Sequence, residues 1–94
     1  MSHFLYIIHS EKSSSYYVGE THDLMLRLER HNTHVYKKGF TKMANDWRIV
    51  LSKECKTKEE AVYLEGFIKR MKSRKFIEKV ISDGGILDDI LSKR

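Results

Sequence analysis

The sequence predicts an α/β fold, a small three-stranded antiparallel sheet flanked by helices in the order ββαβαα. Three observations carry that reading. Two segments rich in aromatic and β-branched residues, 3–9 and 15–19, lie either side of a short polar loop. A third such segment follows at residues 47–54, and the later stretches pair a capping residue with an apolar stripe at helical spacing. A length of 94 residues suits one domain with a single modest core.

Taken in order, the opening MSHFLYII lacks a basic leader region and a small-residue cleavage site, so it reads as the first strand. Ser10-Glu11-Lys12-Ser13-Ser14 turns the chain back into the second strand, YYVGE. If Tyr6 and Tyr17 face the same side, a sheet with one helix-covered face would leave the other for a ligand; side-chain alternation alone leaves open which face that is. Thr21 or Asp23 can cap a helix running to about Asn32, with Leu24, Leu28 and His31 on one stripe. Residues 34–46 are the least regular stretch and read as a long basic loop. WRIVLSKE is the third strand. Thr57 and Glu60 have capping-box spacing ahead of a helix striped by Ala61, Leu64, Ile68 and Met71. Ser73 can cap a last helix carrying Phe76, Ile77, Val80 and Ile81, with Gly84-Gly85 as its stop. Residues 1–83 form the domain on this reading. Residues 84–94 are a short tail whose Ile86, Leu87, Ile90 and Leu91 suffice for one more helical turn or two, or for an exposed interaction surface.

No apolar run approaches the roughly 18 residues of a membrane span, so no membrane partner is expected. Cys55 is the sole cysteine, which excludes an internal disulfide and fits a reducing, cytoplasmic setting. The net charge of +5 is concentrated in residues 36–82, where 13 Lys/Arg face 6 Asp/Glu, while the segments before and after each carry −1. A basic surface on part of a small domain suits phosphate contacts, or is a solvated face.

The residues able to do chemistry follow from their types and places. Glu65 falls at the edge of its helix's apolar stripe, where a partly buried carboxylate needs a compensating partner: a hard divalent ion or an i,i+4 pair with Lys69. Arg27 offers a planar, permanently charged fork that matches a phosphate, or is simply solvated. His31, one turn on, titrates near neutrality and can relay a proton or hold a water, or end its helix favourably. Gly19 lets backbone or substrate approach closely, or turns the chain. Lys69, Arg70, Lys72, Arg74, Lys75 and Lys79 crowd the junction of the last two helices as a phosphate-backbone footprint. Lys37, Lys38 and Lys42, with Tyr36 and Phe40, add a second basic, stacking-capable element suited to unpaired bases. The His and Cys residues show no zinc-ligand spacing, and no phosphate-binding glycine loop is present.

In this order and spacing the chain resembles the GIY-YIG nuclease domain, with Phe4-Leu5-Tyr6 standing for GIY and Tyr17-Val18-Gly19 for YIG. The likeness runs over residues 4–81 through FLYII, YYVGETHDLMLRLERHN, FTK, WRIV and EEAVYLEGFIKRMKSRKFIEKVI. It is most like the small stand-alone members related to the amino-terminal nuclease domain of an excinuclease. Phe4 and Val18 depart from the motif letters, and Glu20 stands where some nucleases carry a lysine. The resemblance implies a catalytic set of Tyr6, Tyr17, Arg27, His31 and Glu65, the arginine contacting the scissile phosphate and Glu65 holding a single Mg2+ or Mn2+ ion. It further implies an endonuclease cutting DNA, branched, flapped or single-stranded, with a structure-selective part in repair or recombination. The alternatives are a nucleic-acid-binding module of the same fold with little cleavage, and a protein-interaction domain working through the tail.

Overall fold

Strand β1 (His3–Ser10) is the centre of the sheet, paired antiparallel with β2 (Ser15–Thr21) on one side and β3 (Arg48–Cys55) on the other, giving the order β2-β1-β3. The computed structural model describes residues 2–33 and 44–94. Lys37, Lys38 and Lys42, with Tyr36 and Phe40, lie outside the described residues. Among the described residues four helices complete the order ββαβααα: α1 (Leu24–Asn32), α2 (Lys58–Met71), α3 (Arg74–Ser82) and α4 (Gly85–Ser92).

Because side chains alternate across a strand, β1 feeds two cores. Leu5 and Ile7 point to one face, where they join Val18, Cys55, the α2 residues Ala61, Leu64 and Ile68, Val80 of α3 and Leu87 of α4. Tyr6 and Ile8 point to the other and pack with Ala44, Trp47, Tyr17 and the α1 residues Leu24 and Leu28. Both faces of the sheet are therefore covered, and a free ligand face is not what the hairpin leaves. The register of β1 against β3 shifts between Ile7 and Ile8, so that Ile7 opposes Leu51 while Ile8 opposes Ile49. Val50 is the extra residue of this bulge, and it packs against the larger core.

The helix starts are those the sequence marks. Asp23, Thr57 and Ser73 each accept a backbone N–H from the residue three positions on, and at α2 the Glu60 carboxylate reaches back past the cap to accept the Lys56 N–H. Two expectations change. Met71 is 47% exposed and leaves the α2 stripe, because the chain turns out of the helix at Lys72 with φ 47. Gly84 and Gly85 do not stop α3 in a left-handed turn, since neither has positive φ; α3 is capped at Asp83, and Gly85 begins α4. The apolar side chains of α4 are spent inside the molecule, with Leu87 1% exposed and Ile86, Ile90 and Leu91 against the same core. That packing removes the exposed tail surface on which a protein-interaction role would depend. Burial raises the pKa of the Cys55 thiol, which keeps it protonated and inert. Among the described residues no helix is long and apolar enough to cross a membrane.

Candidate active site

Register brings the two tyrosines together. Tyr6 pairs with Gly19 and Ile8 pairs with Tyr17 across the hairpin, so Tyr6, Tyr17 and Gly19 share one face, the one covered by α1. A Cβ on Gly19 would fall 2.5 Å from the Tyr6 hydroxyl and 2.6 Å from its Cζ, so the Tyr6 ring lies directly over the glycine backbone. The strand glycine therefore makes room for a side chain of its own sheet, a use that a glycine inside a strand pattern signals but does not specify.

Helix α1 supplies the facing residue. His31 is 3% exposed, its Nε2 is 2.8 Å from the Tyr6 hydroxyl, and its ring centroid is 6.0 Å from that of Tyr6 and 5.0 Å from that of Tyr17. Burial, and then the charge of Arg27 one turn earlier, lower the His31 pKa to about 4. The imidazole is thus neutral at physiological pH, with one ring nitrogen carrying a proton and the other able to accept one. Tyr6 is 2% exposed, whereas Tyr17 is partly exposed.

The position of α1 is fixed by a contact the sequence did not announce. The Trp47 backbone N–H donates to Asn32 Oδ1 at 2.7 Å, and Asn32 Nδ2 donates to the Trp47 carbonyl at 2.9 Å. This amide grips the entry of β3 from the end of α1, one residue beyond His31. Nearby, the Asp46 carboxylate accepts from the Ser10 hydroxyl at 2.6 Å and the Lys12 N–H at 3.1 Å, bonds that lower its pKa and tie the hairpin turn to the same entry.

From the other side, α2 brings Lys69 to the outer strand. Lys69 Nζ lies 5.3 Å from the Tyr17 ring centroid and 2.9 Å from Glu65 Oε2, so Glu65 joins the tyrosines through the lysine. Of the expected catalytic set, Tyr6, Tyr17 and His31 are in ring contact, Arg27 is beside His31, and Glu65 is one side chain removed. Glu20 is turned away: it pairs with Leu5 on the opposite face and its carboxylate meets His3 Nε2. Its charge therefore does not face the tyrosines.

The single Glu65 carboxylate has a definite chemical bearing. Its side chain is 23% exposed, and among the described residues no three His, Cys, Asp or Glu gather into one group. One carboxylate beside open solvent fits a hard ion that keeps most of its waters, such as Mg2+ or Mn2+, and does not fit a zinc set.

The basic junction reaches the site. A cleft of about 620 Å³ runs between the outer edge of β2 and the start of α3, and Lys69, Lys72 and Arg74 line it together with Tyr17. The sequence assigns these cations to the junction of the last two helices; the packing of α2 against β2 brings them beside Tyr17. Arg70 and Lys75 are exposed on the same junction.

Comparison with known proteins bears on the family and the fold. A family model described as the GIY-YIG catalytic domain matches residues 2–78. The UPF0213 protein YazA of Bacillus subtilis (strain 168) is 31% identical over 74 residues, 79% of this chain and 73% of that protein. The solution NMR structure of the UPF0213 protein BH0048 from Bacillus halodurans superposes with a TM-score of 0.55 at 29% identity, covering 87% of this chain and 84% of that one.

Proposed function

The chain belongs to the GIY-YIG catalytic-domain family, and from that premise we propose that it is a divalent-metal-dependent endonuclease that hydrolyses phosphodiester bonds in DNA, selective for branched, flapped or single-stranded structure, with a part in repair or recombination. The observation that carries the reading is the buried Tyr6–His31 pair held against the more open Tyr17, with Arg27 one turn before His31.

In this reading Tyr17 orients and activates the attacking water at the surface of the site. Tyr6, whose hydroxyl is fixed by His31, supports it from within and is a positioning residue. His31, neutral before the reaction, can take up a proton passed through the Tyr6 hydroxyl. Arg27 sets its guanidinium against the phosphate, whose charge is redistributed during in-line displacement. Glu65 would hold Mg2+ or Mn2+. When bound, such an ion neutralises phosphate charge and stabilises the departing oxygen.

A second reading, a nucleic-acid-binding module with little cleavage, draws support from the Lys69–Glu65 pair, which already satisfies the carboxylate with a cation. One assay separates the two: incubation of branched, flapped, single-stranded and fully paired DNA with Mg2+ or Mn2+. Metal-dependent nicking supports the nuclease. Salt-sensitive binding without nicking under either ion would leave the binding module.

A further inference from the structure

We propose that the cleft beside β2 is a subsite for one unpaired nucleotide, lying next to the phosphate presented to Tyr17. This rests on the nuclease reading and names its substrate as a strand with unpaired bases, of DNA or RNA.

The walls are preformed. β2 is an outer strand of the sheet, and its residues 15–18 form one side of the cleft. The other side is the turn from α2 into α3, where Lys72 sits at φ 47 and Ser73 caps α3. Arg74 bridges the two sides: its Nη1 donates to the Ser14 carbonyl at 2.5 Å, and its guanidinium lies 4.9 Å from the Tyr16 ring centroid. The floor is apolar, made by Val18, Ile68 and the partly buried Ile77.

Those features specify the occupant. A volume of about 620 Å³ is the scale of one small ligand, roughly 300–1,000 Å³, and is far below what a base-paired helix fills. The described lining holds three cations, Lys69, Lys72 and Arg74, and the carboxylates that pair with two of them, Glu65 with Lys69 and Glu78 with Arg74, stand outside it. An apolar floor calls for a flat, poorly hydrated group, and a cationic rim calls for an anion; a nucleotide released from its stack supplies both. The Arg74 plane, already layered on Tyr16, is the kind of surface on which unpaired bases stack. Tyr17 also lines the cleft although its ring faces α1, and Lys69 Nζ, 5.3 Å from that ring, joins the cleft to the site around the edge of β2, so a strand in the cleft would lead to the reacting phosphate.

The test is fluorescence anisotropy in EDTA, where no cleavage occurs, with a short oligothymidylate, its abasic counterpart of equal charge, an oligouridylate, a blunt duplex and an Asp/Glu-rich peptide. We expect the base-bearing deoxy or ribo strand to bind about tenfold or more tightly than the abasic strand, the effect of one stacked base, and to shift the Ile68 and Ile77 methyl resonances. Whichever of the two strands binds more tightly identifies the source. Arg74→Lys should erase that discrimination while keeping charge. Lys72→Gly, which suits the positive φ, should weaken base-bearing and abasic strands alike and reduce the salt slope by about 0.7. Equal binding of abasic and base-bearing strands, tighter binding of the duplex, unmoved methyl resonances, or displacement by the acidic peptide at equal concentration would each overturn the proposal. Failure of the nuclease reading is separable, because it shows as absent metal-dependent nicking with this binding intact.

Discussion

The Tyr6 hydroxyl meets His31 Nε2 at 2.8 Å with both side chains almost wholly enclosed, 2% and 3% exposed. A contact so buried couples the site to the stability of the fold. His31 has a pKa of about 4 in the folded protein against 6.5 for a free histidine, so between those values the unfolded chain binds the proton and the native one does not. The stabilisation is complete above pH 6.5 and is lost as pH falls toward 4, below which the loss levels off; its size is on the order of 2–3 kcal/mol. Urea denaturation at about pH 7 and about pH 4.5 should show the native protein losing that much more than His31→Gln. Parallel declines would mean that His31 does not titrate in this window.

Gly19→Ala tests the space beneath the same tyrosine. The added methyl would sit 2.5 Å from the Tyr6 hydroxyl, and the ring, which is enclosed by α1, has little room to retreat. The expected cost is about 1–3 kcal/mol from overpacking. The Tyr6–His31 contact should loosen with it, so the His31 pKa, followed by NMR, should climb toward the ordinary value. An unchanged stability and pKa would show that the hairpin can accommodate a side chain there.

Asn32→Ala removes both bonds to the Trp47 backbone, leaving a donor and an acceptor on a residue that is 3% exposed. Losing such satisfaction costs about 1–3 kcal/mol. The Trp47 amide should exchange with solvent faster than in the parent, and by more than the drop in global stability accounts for. Exchange that follows global unfolding alone would mean that water replaces the amide without releasing α1.

These contacts mark where the sequence was legible and where it was not. Strand composition, the caps at Asp23, Thr57 and Ser73 and the stripe Ala61, Leu64, Ile68 are local signals, and the structure follows them. The order of Tyr6, Tyr17, Arg27, His31 and Glu65 was readable because the family pattern fixes it. What escaped was long-range. Nothing near Asn32 announces a partner fifteen positions away, and nothing near Lys69 announces the Tyr17 ring. The stripe Ile86, Leu87, Ile90 and Leu91 announces the short fourth helix, while Gly84-Gly85, a local breaker signal, hides that α4 begins at Gly85 itself. Which sheet face stays open could not be read from alternation, and the answer is neither: both faces carry packed cores, and the cleft with its cations runs along the edge of β2.

The Glu65–Lys69 pair carries the last prediction, because one carboxylate cannot fully serve two cations. Lys69 Nζ holds Glu65 Oε2 at 2.9 Å, with the lysine 48% exposed, so the pair is a surface one and is worth about 0–1 kcal/mol. An ion binding at Glu65 must displace or share that ammonium. Lys69→Met should therefore raise Mn2+ affinity by up to about fivefold, the factor that 1 kcal/mol represents, while weakening nucleic-acid binding by one phosphate contact. Glu65→Gln should leave thermal unfolding within about 1 kcal/mol of the parent, as expected for a partly exposed position, and spare nucleic-acid binding. It should also abolish both Mn2+ binding and nicking. Mn2+ titration followed by electron paramagnetic resonance reads the affinity without any turnover. If Glu65→Gln binds Mn2+ as the parent does, the ion sits elsewhere and the carboxylate is only the partner of Lys69. If Glu65→Gln loses the ion but Lys69→Met binds it no more tightly, the lysine moves aside at no cost and the competition does not exist.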